Sequence, residues 1–321
     1  MAHRLLEQVR TTCASVAKSA QHVHIVNERL AEYAVSLPLA RLEKPEHDAG
    51  SHYLGQGENT LVFFITLDTI NFGSGYFPHL QKRPGLSGYF TVASSLSDYF
   101  RACGPLSAQQ LTGLTLLDCA HIFDQDLHNP PIGELMYLFA HALNVLGRYL
   151  LDQFGGSFVR LVESADGSAE RLVELLVAMP YFNDVSAYRD GRVHFYKRAQ
   201  LTAADLWIAF EGQGYGSFSD LGQLTIFADN LVPHVLRTDG VLVYAEDLAT
   251  RIDRQELIPA GSTQEVEIRA SALHAVELLS AQLRSLGHNV TPMKLDYLLW
   301  NRGQNRHYKA RPRHRTRTVF Y

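Results

Sequence analysis

The run Leu224-Thr-Ile-Phe-Ala-Asp-Asn-Leu-Val-Pro-His-Val-Leu236 sets one carboxylate, Asp229, among apolar residues. Burying an ionised carboxylate is costly unless it is paired or put to use. Pro233 follows four residues later and cannot donate a helical hydrogen bond to the Asp229 carbonyl, so any helix here must break or kink near Asp229. An acid at such a break, beside Phe227, can be aimed into a pocket. It can equally be a capping or ion-paired aspartate, and this segment alone leaves both open.

Further acids sit in apolar or aromatic company. Asp68 lies in Ile65-Thr-Leu-Asp-Thr-Ile-Asn-Phe72, and Glu267 and Arg269 lie in Val266-Glu-Ile-Arg-Ala270. Asp296 precedes Trp300 by four residues, so the two share a helix face, with Tyr297 beside them. Each acid alone is more often a structural partner than a catalyst. Together, rings that stack and a carboxylate that accepts paired N–H donors suit a flat heterocycle. Lys197 and Arg198 are adjacent cations and candidates for a phosphate; neighbouring side chains diverge, so at most one is expected to reach it.

Several chemistries are absent from the sequence. There is no Gly-rich loop followed by Lys-Ser/Thr, no GxGxxG, no HExxH and no GxSxG. The histidines, His121, His128, His141, His194 and His234 among them, show no metal-ligand spacing, so no metal site is expected. Cys13, Cys103 and Cys119 form neither a zinc pattern nor a disulfide framework, which suits a reducing cytoplasm. Met1 to Ala20 lacks the apolar core of a signal peptide, and no apolar stretch is long enough to span a bilayer. A net charge of −4 argues against a general nucleic-acid binder.

The elements that must position these residues read mainly as helices. Leu5–Ala20 and Asn27–Leu37 have surface-helix spacing. Asn59 is an N-cap candidate for a helix over Thr60–Phe72, a run whose β-branched content also allows a buried strand. Ser87–Cys103 ends at Gly104-Pro105, Gly133–Phe154 follows Pro130-Pro131, and Ser168–Met179 ends at Pro180. Arg192–Ala199 is the one short extended candidate. Capping boxes at Thr202–Asp205 and Ser262–Glu265 open helices to Phe210 and to Gly287, and Thr291-Pro292 opens Met293–Arg302. The expectation is a mainly α, single helical domain over 1–321 with at most a short β element. The basic tail from about residue 305 carries Arg306, Lys309, Arg311, Arg313, Arg315 and Arg317 with no acid; a solvated or partly ordered terminus is expected there.

Six motifs occur in order: Leu67-Asp-Thr-Ile-Asn-Phe-Gly73, Tyr196-Lys-Arg-Ala-Gln200, Ala204-Asp-Leu-Trp207, Leu224-Thr-Ile-Phe-Ala-Asp229 with Val232-Pro233, Glu265-Val-Glu-Ile-Arg-Ala270 and Leu295-Asp-Tyr-Leu-Leu-Trp300. Together they resemble the queuosine salvage protein family, from about His47 to Trp300. The resemblance implies a helical fold with a likeness to DNA glycosylases and no cofactor. It implies hydrolysis of queuosine 5′-monophosphate at its N-glycosidic bond, releasing queuine, a 7-deazaguanine base, for return to tRNA. By the resemblance, Asp229 is the catalytic acid and Phe227 a base-contacting ring. Asp296 and Tyr297 match base-binding positions, and His47 a pocket histidine. Asn301, a further contact candidate, stands where some members carry an acid, and the basic tail is not expected to be part of the match. No stable nucleic-acid or membrane partner is expected. A non-catalytic binder of modified nucleosides or tRNA, and a DNA-glycosylase-like repair enzyme, are the alternative readings.

Overall fold

Order in this chain comes from helices wrapped on two long central ones. The computed structural model describes residues 5–39 and 45–321. Along the chain run α1 (Leu5–Ser19), β1 (Val23–Ile25), α2 (Asn27–Ser36), α3 (Glu58–Thr69), α4 (Gly88–Cys103), α5 (Ala108–Thr112), α6 (Leu116–Phe123), α7 (Pro130–Phe154), α8 (Phe158–Glu163) and α9 (Ala169–Leu176). Then come β2 (Val185–Tyr188), β3 (Gly191–His194), α10 (Lys197–Ala209), α11 (Leu231–Thr238), β4 (Leu242–Tyr244), α12 (Glu246–Asp253), α13 (Thr263–Ser285), α14 (Pro292–Gly303) and α15 (Arg306–Lys309). The fold is mainly α. No helix among the described residues is long and apolar enough to cross a membrane.

These residues divide into two compact units interleaved in sequence. The first comprises Met1–Pro45, Asp184–Gln200 and Asp220–Arg317; the second comprises Glu46–Asn183, Leu201–Ser219 and Thr318–Tyr321. The chain passes between them repeatedly, so no single linker marks a boundary.

In the first unit α13 is the central helix, with α1, α2, β1, β2, α11 and α14 against it. It is capped by the Ser262 hydroxyl, which accepts from Glu265 N. It buries polar as well as apolar residues: Glu265, Glu267, Arg269, Ser271 and Ser280 are all inside. Glu267 takes backbone N–H bonds from Gln21 and His22 and the Tyr188 hydroxyl, so it fastens the turn before β1 rather than serving a pocket. The strands form two antiparallel pairs, β1 with β4 and β2 with β3. The β2–β3 hairpin contains part of the expected extended piece, but the strand stops at His194. Tyr196 then takes a left-handed φ of 50°, and α10 starts at Lys197. The Thr202 box therefore lies inside α10 and opens nothing.

In the second unit α7 is central. The paired prolines form its first turn and Gly155, in the left-handed conformation, ends it. α3 forms as a helix rather than a strand, but Gly57 stands at its cap and Asn59 inside it. It is buried on nearly every side from Thr60 to Thr69, which is why its sequence shows no amphipathic period.

The basic tail departs from expectation. It is packed: Tyr308, His314 and Thr316 are buried, and Arg315 bridges to Leu257 in parallel register. From Arg313 to Arg317 buried and half-buried residues alternate, so His314 and Thr316 point inward between arginines. The cationic composition concealed that alternation.

Gly147 marks a close helix contact of the second unit. A Cβ there would lie 2.6 Å from the Ala108 carbonyl oxygen and 2.8 Å from Thr112 N, both backbone atoms of the region around α5. Ala favours helix over Gly by about 1 kcal/mol, but overpacking costs about 1–3 kcal/mol. Gly147→Ala is therefore expected to lower the urea midpoint. An unchanged or raised midpoint would mean α5 shifts freely.

Candidate active site

The strip from Leu224 to Asn230 is neither helix nor strand, yet Leu224–Ala228 is buried. Buried backbone groups need partners, and here side chains from distant motifs supply them. Gln200 accepts from Thr225 N at 2.9 Å and donates to Thr225 Oγ1 at 3.0 Å. Asp296 Oδ1 accepts from Phe227 N at 2.9 Å. Arg269 Nε donates to the Ala228 carbonyl at 2.9 Å. On the far side Asn230 Nδ2 donates to the His314 carbonyl at 3.3 Å. The strip is thus fixed almost residue by residue, and Asp229 stands where this fastening meets α11.

Pro233 works as the sequence required. α11 begins only at Leu231, so the proline sits in its first turn, where its missing N–H is harmless. Asp229 Oδ1 accepts from Leu231 N at 2.7 Å and Val232 N at 3.2 Å. The capping alternative is therefore real, and the positive helix end suits a carboxylate. Capping uses one oxygen only. Among the described residues Oδ2 of this half-buried acid makes no hydrogen bond or ion pair. A carboxylate oriented through one oxygen and open at the other can act on a ligand.

Arg269 fixes this arrangement. It is buried, forks onto Asp184 with Nη1–Oδ1 at 3.0 Å and Nη2–Oδ2 at 2.5 Å, and lies 3.9 Å above the Phe195 ring. Glu265 Oε1 is 3.4 Å from Nη1. Asp184 also accepts from Lys197 N at 3.3 Å through its carboxylate, and its carbonyl accepts from Phe195 N and Tyr196 N. One ion pair therefore holds both the start of α10 and the turn before Asp229. Gln200 and Arg269 lie in quoted motifs but with no partner legible there, and Asp184 carries no signal at all, because nothing in residue type or spacing joins it to an arginine 85 positions away.

Asp296 is buried on α14. Burial pushes its carboxyl well above the usual carboxylate range, and the Asp229 charge adds to this; the Phe227 N–H and the Lys197 cation pull the other way. Asp229, Asp296 and Lys197 are thus electrostatic neighbours, with Phe227 between the acids in the bonding scheme. Lys197 and Arg198 are both buried, so neither is a surface cation. Tyr297 is half-buried beside Asp296. Asn301 is exposed and donates to the Tyr297 carbonyl of its own helix at 2.8 Å, so the structure gives it no part in the cluster.

His47 belongs to the second unit, in a different buried cluster. Its Nε2 lies 3.0 Å from the Asp205 carbonyl and its ring 4.4 Å from the Phe64 ring. Burial, reinforced by His52, pushes its imidazole down to about 3, so it is neutral, with Nε2 protonated toward the carbonyl and Nδ1 left as acceptor. His52 Nε2 meets the Tyr89 hydroxyl at 2.9 Å, and the charges of Asp205 and Asp68 both act on Tyr89. The motif acids Asp68 and Asp205 thus gather in this unit.

Comparison with known proteins gives a family match over most of the chain. The family model described as queuosine salvage protein matches residues 51–321, a span that takes in the packed tail and starts just after His47. The chain is 37% identical over 318 residues to a queuosine 5′-phosphate N-glycosylase/hydrolase of Sphaerobacter thermophilus, covering 98% of this chain and 97% of that one. It is 32% identical to the protein of the same description from Dictyostelium discoideum, over 98% and 99% of the two chains. It is 31% identical to that from Mus musculus, over 97% and 98%.

The state of Asp296 yields a stability test. A carboxyl whose folded pKa is raised binds a proton that the unfolded chain has lost. Its contribution is full below the ordinary carboxylate value of about 3.9 and is lost as pH rises through the raised value. Asp296→Asn keeps an acceptor for Phe227 N and removes the titration. In urea unfolding from about pH 5 to about pH 9, the asparagine variant is expected to gain on the wild type as pH rises. A difference that does not vary with pH would show that Asp296 is not held as the neutral acid.

Proposed function

The chain belongs to the queuosine salvage protein family, and we infer from that membership and from the Asp229 site that it hydrolyses queuosine 5′-phosphate at its N-glycosidic bond. The products are queuine and ribose 5-phosphate. The observation that carries the reading is the carboxylate of Asp229, anchored through Oδ1 with Oδ2 open.

Cleavage of the C1′–N bond builds positive charge on the ribose and negative charge on the departing base. An ionised Asp229 near C1′ stabilises the first and orients the attacking water, whose proton passes to it as oxygen bonds to C1′. The bonding electrons leave with the base nitrogen, which is then protonated. A 7-deazaguanine has carbon where guanine has N7, so protonation there gives no assistance. Hydrogen bonds that tighten as charge moves onto the base must serve instead. We place Asp296 at that edge, accepting from the ring N–H and the amine; those donors, with Lys197, offset the burial that favours its neutral form. Phe227 and Tyr297 hold the ring plane. His47, a neutral ring with a free acceptor nitrogen, remains a pocket group on the resemblance alone. Three free cysteines suit a reducing cytoplasm as the compartment.

Incubation with queuosine 5′-phosphate and detection of the free base by mass tests the activity and separates it from a non-catalytic binder. Asp229→Asn tests the assignment. Amide replaces acid at equal size, so kcat should fall by about 10²-fold or more while substrate affinity and melting temperature stay near wild type. A variant keeping a tenth of wild-type kcat would remove Asp229 from the chemistry.

A further inference from the structure

The tail contributes a cation with no established duty. Arg313 is half-buried, yet among the described residues it makes no hydrogen bond and no ion pair. Its backbone neighbourhood is fixed on several sides. The carbonyl of the next residue, His314, accepts from Asn230 Nδ2 at 3.3 Å. His234 Nε2 meets the Tyr308 carbonyl at 2.9 Å, and Ile258 N donates to the Arg315 carbonyl at 2.9 Å. Tyr308 is itself held by Asp239, whose Oδ1 accepts its hydroxyl at 2.8 Å. Arg313 is thus held beside Asn230, the residue after Asp229. The Asp229 charge acts on its guanidinium while burial disfavours that cation.

Order along the strip gives this cation a direction. Asp296 is bonded at Phe227, before Asp229; the tail is bonded at Asn230, after it. A nucleotide has the same order of parts: base, ribose, phosphate. With the base edge at Asp296 and C1′ at Asp229, the phosphate falls toward the tail. Lys197, whose charge acts on Asp296, belongs to the base end. A guanidinium fork matches phosphate oxygens in geometry as well as charge, and a half-desolvated one with no anion bonded to it gains most from acquiring one.

We propose that Arg313 receives the 5′-phosphate of the substrate and sets the preference for nucleotide over nucleoside. This rests on the reading of Asp229 as the group at the glycosidic bond. The tail is then part of the substrate site, and its packing serves to hold one arginine in place.

The test compares kcat/KM for queuosine 5′-phosphate and for queuosine in wild type, Arg313→Ala and Arg313→Lys, with Arg311→Ala, an exposed tail cation, as control. Binding of ribose 5-phosphate alone is measured by calorimetry on the same proteins. Arg313→Ala is expected to lose about 10- to 100-fold on the nucleotide, the range for charge-assisted hydrogen bonds, and a similar factor in ribose 5-phosphate affinity. Turnover of the nucleoside, which also reports an intact fold, should fall far less than turnover of the nucleotide. Arg313→Lys should recover part of the loss, and Arg311→Ala should match wild type. Equal losses on both substrates would mean that Arg313 acts through Asp229 or the fold, and would overturn the proposal. So would a preference that survives in Arg313→Ala but collapses in Lys197→Ala. Wild-type protein that releases no base from either substrate would instead refute the glycosidase reading, and the ribose 5-phosphate measurement would still decide Arg313.

Discussion

The buried pair of Asp184 and Arg269 is the constraint on which the site depends. A guanidinium inside a helical core is tolerable only if its donors are met. Here two go to Asp184, one lies near Glu265, one goes to the Ala228 carbonyl, and Phe195 covers the cationic face. Removing one partner of such a pair costs about 3–5 kcal/mol, because the other is left buried and charged. The pair spans three parts of the first unit: α13, the chain around Asp184 with the start of α10, and the turn that presents Asp229. Their mutual placement is therefore held by a directional contact in addition to apolar packing, which is far less selective of angle.

This constraint also explains why so many polar residues of the motifs are inside. An irregular strip in a core carries backbone groups that no ladder satisfies. Gln200, Asp296 and Arg269 each meet one such group, at Thr225, Phe227 and Ala228. Regular structure here would have paired these groups among themselves and turned Asp229 according to a helical or pleated period. The irregular strip frees the aim of the carboxylate from both periods, and the supporting side chains hold that aim. Asp296 serves in two ways, fastening the strip through Oδ1 and presenting a carboxyl whose charge state answers to Asp229 and Lys197.

Elements whose signals are local were legible in the sequence. The Ser262 and Thr291 caps and the Pro130-Pro131 start with its Gly155 stop are chemistry confined to one turn, and α13, α14 and α7 formed as read. The odd acid in the Leu224–Leu236 run stood out for the same reason. Features that depend on distant partners were not legible. The start of α10 depends on Tyr196 in a left-handed conformation that its residue type disfavours and that the Asp184 carbonyl helps to hold. β1 and β4 are three residues each and gain their identity from each other, far apart in sequence. The tail read as solvated because its arginines outweigh the two inward residues, His314 and Thr316. Asn301 directly follows the motif that holds Asp296, yet its helical position turns it outward.

If Asp229 performs the proposed catalysis, Arg269 contributes to it by aiming that carboxylate. A double-mutant cycle on single-turnover rates tests it directly. Arg269→Lys keeps the charge and loses the fork, and is combined with Asp229→Asn, each variant being checked for folding by melting. The expected result is strong non-additivity: Arg269→Lys slows the wild-type background but changes the rate little once Asp229 is asparagine, since no carboxylate is left to aim. If Arg269→Lys slows both backgrounds by the same factor, Arg269 acts independently of Asp229, and the ion pair does not build the site.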